Sequence, residues 1–310
     1  MTPPSVPPVL LLAWRRADCT RRVIDALRVV QPSHLYLACD GASPHRPGEA
    51  EQVEATRALL DSAVDWPCQV ERLYSADNQG CRLGVSRAIS WFFEQEEAGV
   101  VLEDDCVPHP DFFSYCAALL ERYRLDSRVW CISGTNHQHG QWRGDGSYYF
   151  SRYNHCWGWA SWRRCWQHYD GELQRWPALR DSGLLQGVFD DPMEAAWWGA
   201  IWDRLLAEGR PDSWAYRWTF TCMSQGGLTA LPNRNLVANI GFDARASNTR
   251  RQRQAMVLEA LGPLRHPTFV LRDRAADHHT YLHHFGGRSW QDLSWVWPRL
   301  QGRLRRLVRR

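Results

Sequence analysis

The chain has 310 residues, of which 23% are charged and 44% hydrophobic, with a formal net charge of +3. That is room for one large core or two smaller ones in an ordinary globular protein. The charge is too small to argue for nucleic acid, although all 37 basic residues are arginine. No run of about 18 apolar residues is present to cross a bilayer. The start "MTPPSVPPVLLLAW" lacks the basic flank of a secretory signal. Ten cysteines contain no C-x-x-C pair, so a zinc or thioredoxin-like motif is not expected. A reduced, cytoplasmic protein is the expectation.

Strand and helix signals alternate along the first part of the chain. "PPVLLLAWRR" reads as a short buried strand. "DCTRRVIDALRVV" follows as a helix, with Asp18 or Thr20 as N-cap and Val23, Ile24, Leu27 and Val30 on one face. "SHLYLACDG" is a second strand ending on Asp40-Gly41, "EQVEATRALLDSAV" a helix, and "CQVERLY" a third strand. "GVSRAISWFFEQEE" is a helix that turns Val85, Ile89 and Phe92/Phe93 inward, and "GVVLEDD" is a fourth strand. "DFFSYCAALLERYRLD" is a helix capped by Asp111 after Pro108 and Pro110, and "RVWCISG" is a fifth strand. Such alternation specifies an α/β fold with a mainly parallel sheet and helices on both faces. Ligands bind beyond the carboxyl ends of such strands, where Asp40 and the acids at 103–105 both fall.

Past residue 135 the alternation fades. "HQHGQWRGDGS" is a polar loop, "YYFSRYNHCWGW" a strand and turn, "ASWRRCWQHY" a helix, and "PMEAAWWGAIWDRLLAEG" an amphipathic helix. These form a second lobe on the same sheet.

The acids Glu103, Asp104 and Asp105 stand together with no basic residue among them. Like charges side by side repel and gain little from burial, so the run points to something positive nearby. Strand alternation sends Glu103 and Asp105 one way and Asp104 the other. Mg²⁺ is commonly held by one or two carboxylates, with substrate phosphates and water completing its shell. A strand-end acidic triplet meets that need, and the cation then acts as a Lewis acid on a phosphate leaving group.

The segments "LAWRRAD", "ACDG", "NQGCRLGVSRAISWFFEQEEAGVVLEDDCVPHPDFF", "ISGTN", "YYFSRYNHCWGWASWRRCW" and "SWAYRWTF…GGLTALPNRNLVANIGF" carry a family resemblance. On them the chain resembles the GT-A glycosyltransferases, nearest the bacterial nucleotide-diphospho-sugar transferases often labelled hemolytic-protein-like. It is more distantly similar to N-acetylglucosaminyltransferase I. The resemblance implies a Rossmann-like GT-A domain with an acceptor-side lobe. Residues 1–135 would bind the nucleotide sugar, 136–250 the acceptor, and 251–310 would form a C-terminal extension with a basic tail.

Position by position, the resemblance puts Arg16 near the donor diphosphate and makes Asp40 the acceptor of a nucleobase hydrogen bond. It assigns Asn78, Gly80, Arg82 and Gly84 to the loop that holds base and ribose, where glycine lets backbone approach closely. Asp105 would be the ligand of Mn²⁺ or Mg²⁺, Asp104 the ribose contact and Glu103 a donor contact. Trp157, Trp159, Trp214 and Trp218 are acceptor-side candidates, because an indole face stacks on a sugar ring. Core packing is the competing explanation for the 18 tryptophans.

One position departs from the pattern. Relatives commonly follow the tryptophan of "SWAYRW" with an aspartate suited to act as general base, and this chain has Ala215. An inverting transferase needs a carboxylate within reach of the acceptor hydroxyl. Asp212, Asp191 and Glu194 are the candidates. The expectation is a metal-dependent, inverting glycosyltransferase of bacterial polysaccharide or glycan biosynthesis. Its donor would be a nucleotide-diphosphate sugar, UDP-linked first, and its acceptor a glycan or lipid-linked hydroxyl. Two rivals stand beside it. A sugar-phosphate nucleotidyltransferase is disfavoured by the lack of glycine in "AWRRADCT". A protein that kept the fold but lost the base would bind nucleotide sugar or glycan without turnover.

The histidines of "NHQHG" and "DHHTYLHH" read as exposed polar segments, with His279 and His283 on one helix face. The resemblance also admits a late histidine in the metal shell. The tail "QGRLRRLVRR" suits peripheral contact with anionic lipid at the inner membrane.

Overall fold

The structure, a computed structural model, describes residues 5–242 and 256–289. The apolar pentapeptide Val9–Ala13 forms β1, buried along its length. α1 (Ala17–Val30) buries Val23, Ile24 and Leu27. β2 (His34–Cys39), α2 (Glu49–Ser62), β3 (Gln69–Tyr74) and α3 (Gly80–Gln95) follow. Then come β4 (Ala98–Glu103), β5 (Cys106–Pro108), α4 (Pro110–Arg122), β6 (Val129–Ser133), β7 (Tyr148–Ser151) and β8 (Trp159–Trp162). The short helices α5 (Arg163–Trp166), α6 (Trp176–Asp181) and α7 (Leu185–Val188) lead to α8 (Pro192–Glu208) and α9 (Ala215–Ser224). β9 (Leu228–Pro232), β10 (Val237–Asn239) and α10 (Arg274–His283) complete the order.

Eight strands make one sheet in the order β3-β2-β1-β4-β8-β6-β9-β7. β1, β2, β3 and β4 pair in parallel, as do β6 and β9, while β8 and β7 run antiparallel to their neighbours. The fold is therefore α/β, Rossmann-like and mostly parallel. The chain leaves β1 toward β2 and β3 and returns on the other side as β4. Right-handed crossovers then put α1 and α2 on the face opposite α3. The gap between β1 and β4 is a topological switch point, the place where such sheets open a crevice.

Among the described residues two large apolar cores stand out, beside a small cluster of Tyr149, Leu231 and Ala276. One lies on the sheet and includes Leu11, Leu37, Phe92, Leu102 and Trp159. The other is aromatic, formed by Trp176, Trp198, Trp202, Phe220 and Tyr281 among the elements from α6 to α10.

Four local expectations need correction. α1 begins at Ala17, so Asp18 and Thr20 lie in its first turn, and the N-cap is Arg16. α4 is capped by His109, whose Nδ1 accepts from Asp111 N at 3.1 Å, while Asp111 itself accepts from Leu261 N. Trp159–Trp162 is a strand wedged between β4 and β6, and only one helical turn follows it. The fourth strand stops at Glu103, and Asp104 and Asp105 form a turn, so face alternation does not reach them. Among the described residues no helix is long and apolar enough to cross a membrane, and no disulfide links the cysteines. The arginine-rich tail lies outside the described residues.

Candidate functional site

β1 and β4 run side by side, with Leu12 opposite Glu103, so the segments after both strands meet at the same sheet edge. Arg16 reaches across this gap. Its Nη2 donates to Asp104 Oδ1 at 2.5 Å and to Asp105 Oδ2 at 2.7 Å. Asn239 holds Asp105 from the other side, with Nδ2 3.4 Å from Oδ1. Close approach requires glycine at 241, where a Cβ would sit 2.0 Å from Asp105 Oδ2 and 2.7 Å from Arg16 Nη1.

Three acids thus face one guanidinium. Burial first, then Asp105 and Asp104, push the Glu103 carboxyl up to about 8, against Arg16 and a hydrogen bond from Trp214. Burial raises Asp104 as well, with Arg16 opposing. Burial alone would lower Arg16, and the two aspartates carry it upward instead. A corner with surplus buried negative charge is one that a cation stabilises.

Asp40, just past β2, organises the neighbouring loop. It accepts from the backbone N–H of Gly41 at 2.9 Å, Gln79 at 2.9 Å and Gly80 at 3.1 Å, and from Asn78 Nδ2 at 3.2 Å. Burial raises its carboxyl, and those backbone donors pull the other way. A Cβ on Gly84 would lie 3.3 Å from Asp40 Oδ2. Gly80 adopts φ +77°, and a Cβ there would lie 2.8 Å from Asp212 Oδ2. Asp212 comes from a distant loop and accepts from Cys81 N at 2.8 Å and Arg82 N at 3.2 Å, closing the N-terminus of α3. Arg82 pairs with Glu172 at 2.5 Å and stays off the cavity wall.

These groups border a cavity of about 860 Å³. Arg16, Asp40, Asn78, Gly80, Gly84, Glu103, Asp104, Asp105 and Asp212 all line it. So do Trp14, Arg15, Arg46 and Arg87, which the sequence reading missed. Arg15 lies 4.2 Å over the Trp14 ring and pairs with buried Glu49 at 2.9 Å. Arg87 was within reach of inference, because positions 80, 84 and 87 share one face of α3.

The rest of the lining includes Trp157, Trp214, Ala215, Trp198 and Phe285, with Trp214 next to Glu103. Trp159 and Trp218 are a correction, since both are buried in the sheet core and neither lines the cavity. Their ring centroids are 5.9 Å apart, and Trp218 lies 5.0 Å from Trp166. Asp191 and Glu194 also stay off the wall. Asp191 caps α8 by accepting from Met193 N at 2.8 Å, and Glu194 accepts from Tyr153 Oη and pairs with Arg152 at 3.6 Å. Of the three base candidates only Asp212 reaches the cavity.

The histidines do not all behave as exposed segments. His137, His155 and His284 converge on this same wall, with centroids 3.8 Å apart for 137–284 and 4.3 Å for 137–155. No spacing rule links positions so far apart in the chain. His279 and His283 do share a face of α10, 4.3 Å apart at the surface.

The acid corner suits a hard cation in one specific way. Among the described residues, Glu103, Asp104 and Asp105 do not converge as a three-ligand cluster. A divalent ion there would rest on one or two carboxylates and draw its other oxygens from phosphate and water, as Mg²⁺ does.

No protein-family model matches the chain. Among solved structures it is similar to HddC from Yersinia pseudotuberculosis, with TM-score 0.32 and 13% identity over 53% of this chain and 80% of that one. It is similar also to the inositol-1-phosphate CTP transferase from T. maritima, with TM-score 0.34 and 10% identity over 74% and 85%. A UDP-glucose pyrophosphorylase complexed with UDP-glucose gives TM-score 0.26 and 9% identity over 47% and 62%. Likenesses at these scores carry no argument, and the fold assignment rests on the strand order.

Proposed function

We propose that this protein is a metal-dependent GT-A glycosyltransferase that moves a sugar from a nucleotide-diphosphate donor to a glycan or lipid-linked hydroxyl. The observation that carries the reading is the meeting of Arg16 with the 103–105 acids at the switch point, on the wall of a cavity of about 860 Å³. That corner has the charge pattern a diphosphate and its cation need. Arg16, Arg15 and Arg87 offer positive charge to phosphate oxygens, and arginine suits them through its planar fork of donors. Asp40 holds the Asn78–Gly80 loop that would border base and ribose. Trp157 offers an apolar face to a sugar. Asp105 would hold Mn²⁺ or Mg²⁺, which when bound supplies Lewis acidity at the leaving diphosphate. Asp212 is the base candidate, its oxygens already accepting from the start of α3. A UDP-sugar is the favoured donor, and the setting is the cytoplasm of a bacterium making surface glycans.

A second reading is favoured by Ala215 on the cavity wall. A protein lacking the base at that position would bind nucleotide sugar without transferring it. Labelled UDP- and GDP-sugars incubated with and without Mn²⁺ separate the two. Mn²⁺-dependent hydrolysis or transfer, reduced roughly 1,000-fold in Asp105→Ala, supports the transferase. Binding without turnover against every acceptor supports the second reading. Pyrophosphate release from a nucleoside triphosphate and a sugar phosphate would identify a nucleotidyltransferase and overturn both.

A further inference from the structure

We propose that His137, His155 and His284 form a metal site of their own, separate from the acid corner, for a borderline transition metal such as Zn²⁺. One ligand atom from each residue lies within 4.8 Å of the other two. Imidazole nitrogens suit zinc, copper, nickel and iron, whereas Mg²⁺ and Ca²⁺ want oxygen. Zinc–nitrogen bonds of about 2.0–2.1 Å at tetrahedral angles space the nitrogens about 3.4 Å apart, so small ring movements close the site.

The three segments that carry these rings are fixed to one another by buried hydrogen bonds. Gln138, next to His137, donates from Nε2 to Ala276 O at 3.2 Å and to Thr280 Oγ1 at 2.9 Å. Both acceptors belong to α10, which leads directly into His284. At the end of β7, ahead of His155, Ser151 Oγ donates to Asp277 Oδ1 of the same helix at 2.5 Å. Arg152 pairs with Asp277 at 3.2 Å. The carbonyl of His155 accepts from Ser133 Oγ at 3.0 Å, at the end of β6 and shortly before His137. Gln138, Ser133, Ser151, Asp277 and Thr280 are all buried. Such support holds ligands in position before the metal arrives.

All three ligands line the cavity. Three protein ligands leave a fourth position for water or a substrate oxygen, the arrangement of catalytic rather than structural zinc. The site goes beyond the proposed transfer reaction and stands or falls separately from it.

The test uses the full chain without a histidine tag, stripped with chelator. It is titrated calorimetrically with Zn²⁺, and with Co²⁺ for its visible spectrum. The expected result is uptake of one ion per chain and a tetrahedral, nitrogen-rich cobalt spectrum. His155→Ala and His284→Gln should each weaken zinc binding by about 100-fold or more, while Asp105→Ala and His279→Ala leave it unchanged. His155 is buried and its variant could lose the fold, so His284→Gln, at the end of α10, and the wild-type cobalt spectrum carry the decision. No zinc uptake by the wild type, undiminished uptake in His284→Gln, or loss of uptake in Asp105→Ala overturns the proposal.

Discussion

The two walls of the cavity are built by opposite means. The wall over β1 and β4 is charged, and its groups sit within a few residues of strand ends, so the sheet itself delivers Arg16, Asp40 and the 103–105 acids to one edge. The other wall is aromatic and imidazole-rich and is shared between cores. Trp214, Trp157 and Ala215 pack on the sheet core, while Trp198 and Phe285 belong to the separate aromatic core of α8, α9 and α10. The difference predicts separable failures: damage to the second core should harm stability and the far wall, while damage at the strand ends should harm charge and nucleotide affinity.

The most severe way to break this division is Trp202→Ala. Trp202 is fully buried, 5.2 Å from Trp176 and 5.4 Å from Trp198. Its loss should cost about 3–5 kcal/mol in denaturant unfolding. Nucleotide affinity of the protein that remains folded should not change, and an equal fall in affinity would mean that the walls are one unit. Arg16→Met should come next. It leaves Asp104 and Asp105 buried beside Glu103 without their partner, at a cost of about 3 kcal/mol. Mn²⁺ should recover more stability in this variant than in the wild type, as read from melting midpoints. Equal recovery would argue that the corner does not attract a cation.

Gly241→Ala sharpens the comparison at a single atom. Its Cβ would press on Asp105 Oδ2 and Arg16 Nη1. Nucleotide affinity should fall about 10-fold or more, on the ordinary cost of overpacking a rigid site. Unchanged affinity would show that Asp105 moves freely.

A pH-dependent effect belongs to the far lobe. Burial lifts Glu194 to about 7, against Arg152 and a hydrogen bond from Tyr153, whereas an ordinary glutamate titrates near 4.5. Between those values the folded chain holds a proton that the unfolded chain has released. The stabilisation is therefore full below pH 4.5 and is lost as pH rises toward about 7. Relative to Glu194→Gln, the wild type should lose stability across that window in denaturant titrations at several pH values. Parallel curves would contradict the assignment.

The charged wall was legible in the sequence because its information is local. An apolar strand running into Glu103-Asp104-Asp105 announces a ligand edge, and Arg16 and Asp40 follow closely on the ends of β1 and β2. What the sequence did not give was how those groups pair. Asp40 is engaged by four donors from its own and the neighbouring loop, and Asp104 joins Asp105 on Arg16 because the strand has already ended. The far wall was less legible because tertiary docking decides it. Trp157 reaches the cavity, Trp159 and Trp218, of the same type and in nearby segments, are core, and Trp214 is nearly buried on Trp159 yet touches the cavity edge. Strand Trp159–Trp162 read as helix because its alternating partner strands, β4 and β6, are distant in sequence. The inner histidines come from three segments united by contacts to α10 and by the Ser133–His155 hydrogen bond.

Calorimetric titration of the full chain with UDP, in the presence and absence of Mn²⁺, tests the charged corner most directly. Nucleotide should bind far more tightly with Mn²⁺ than without it, and Asp105→Ala should abolish the difference. Equal affinity with and without the metal, or a metal effect that persists in Asp105→Ala, would contradict a cation seated between these acids and a diphosphate.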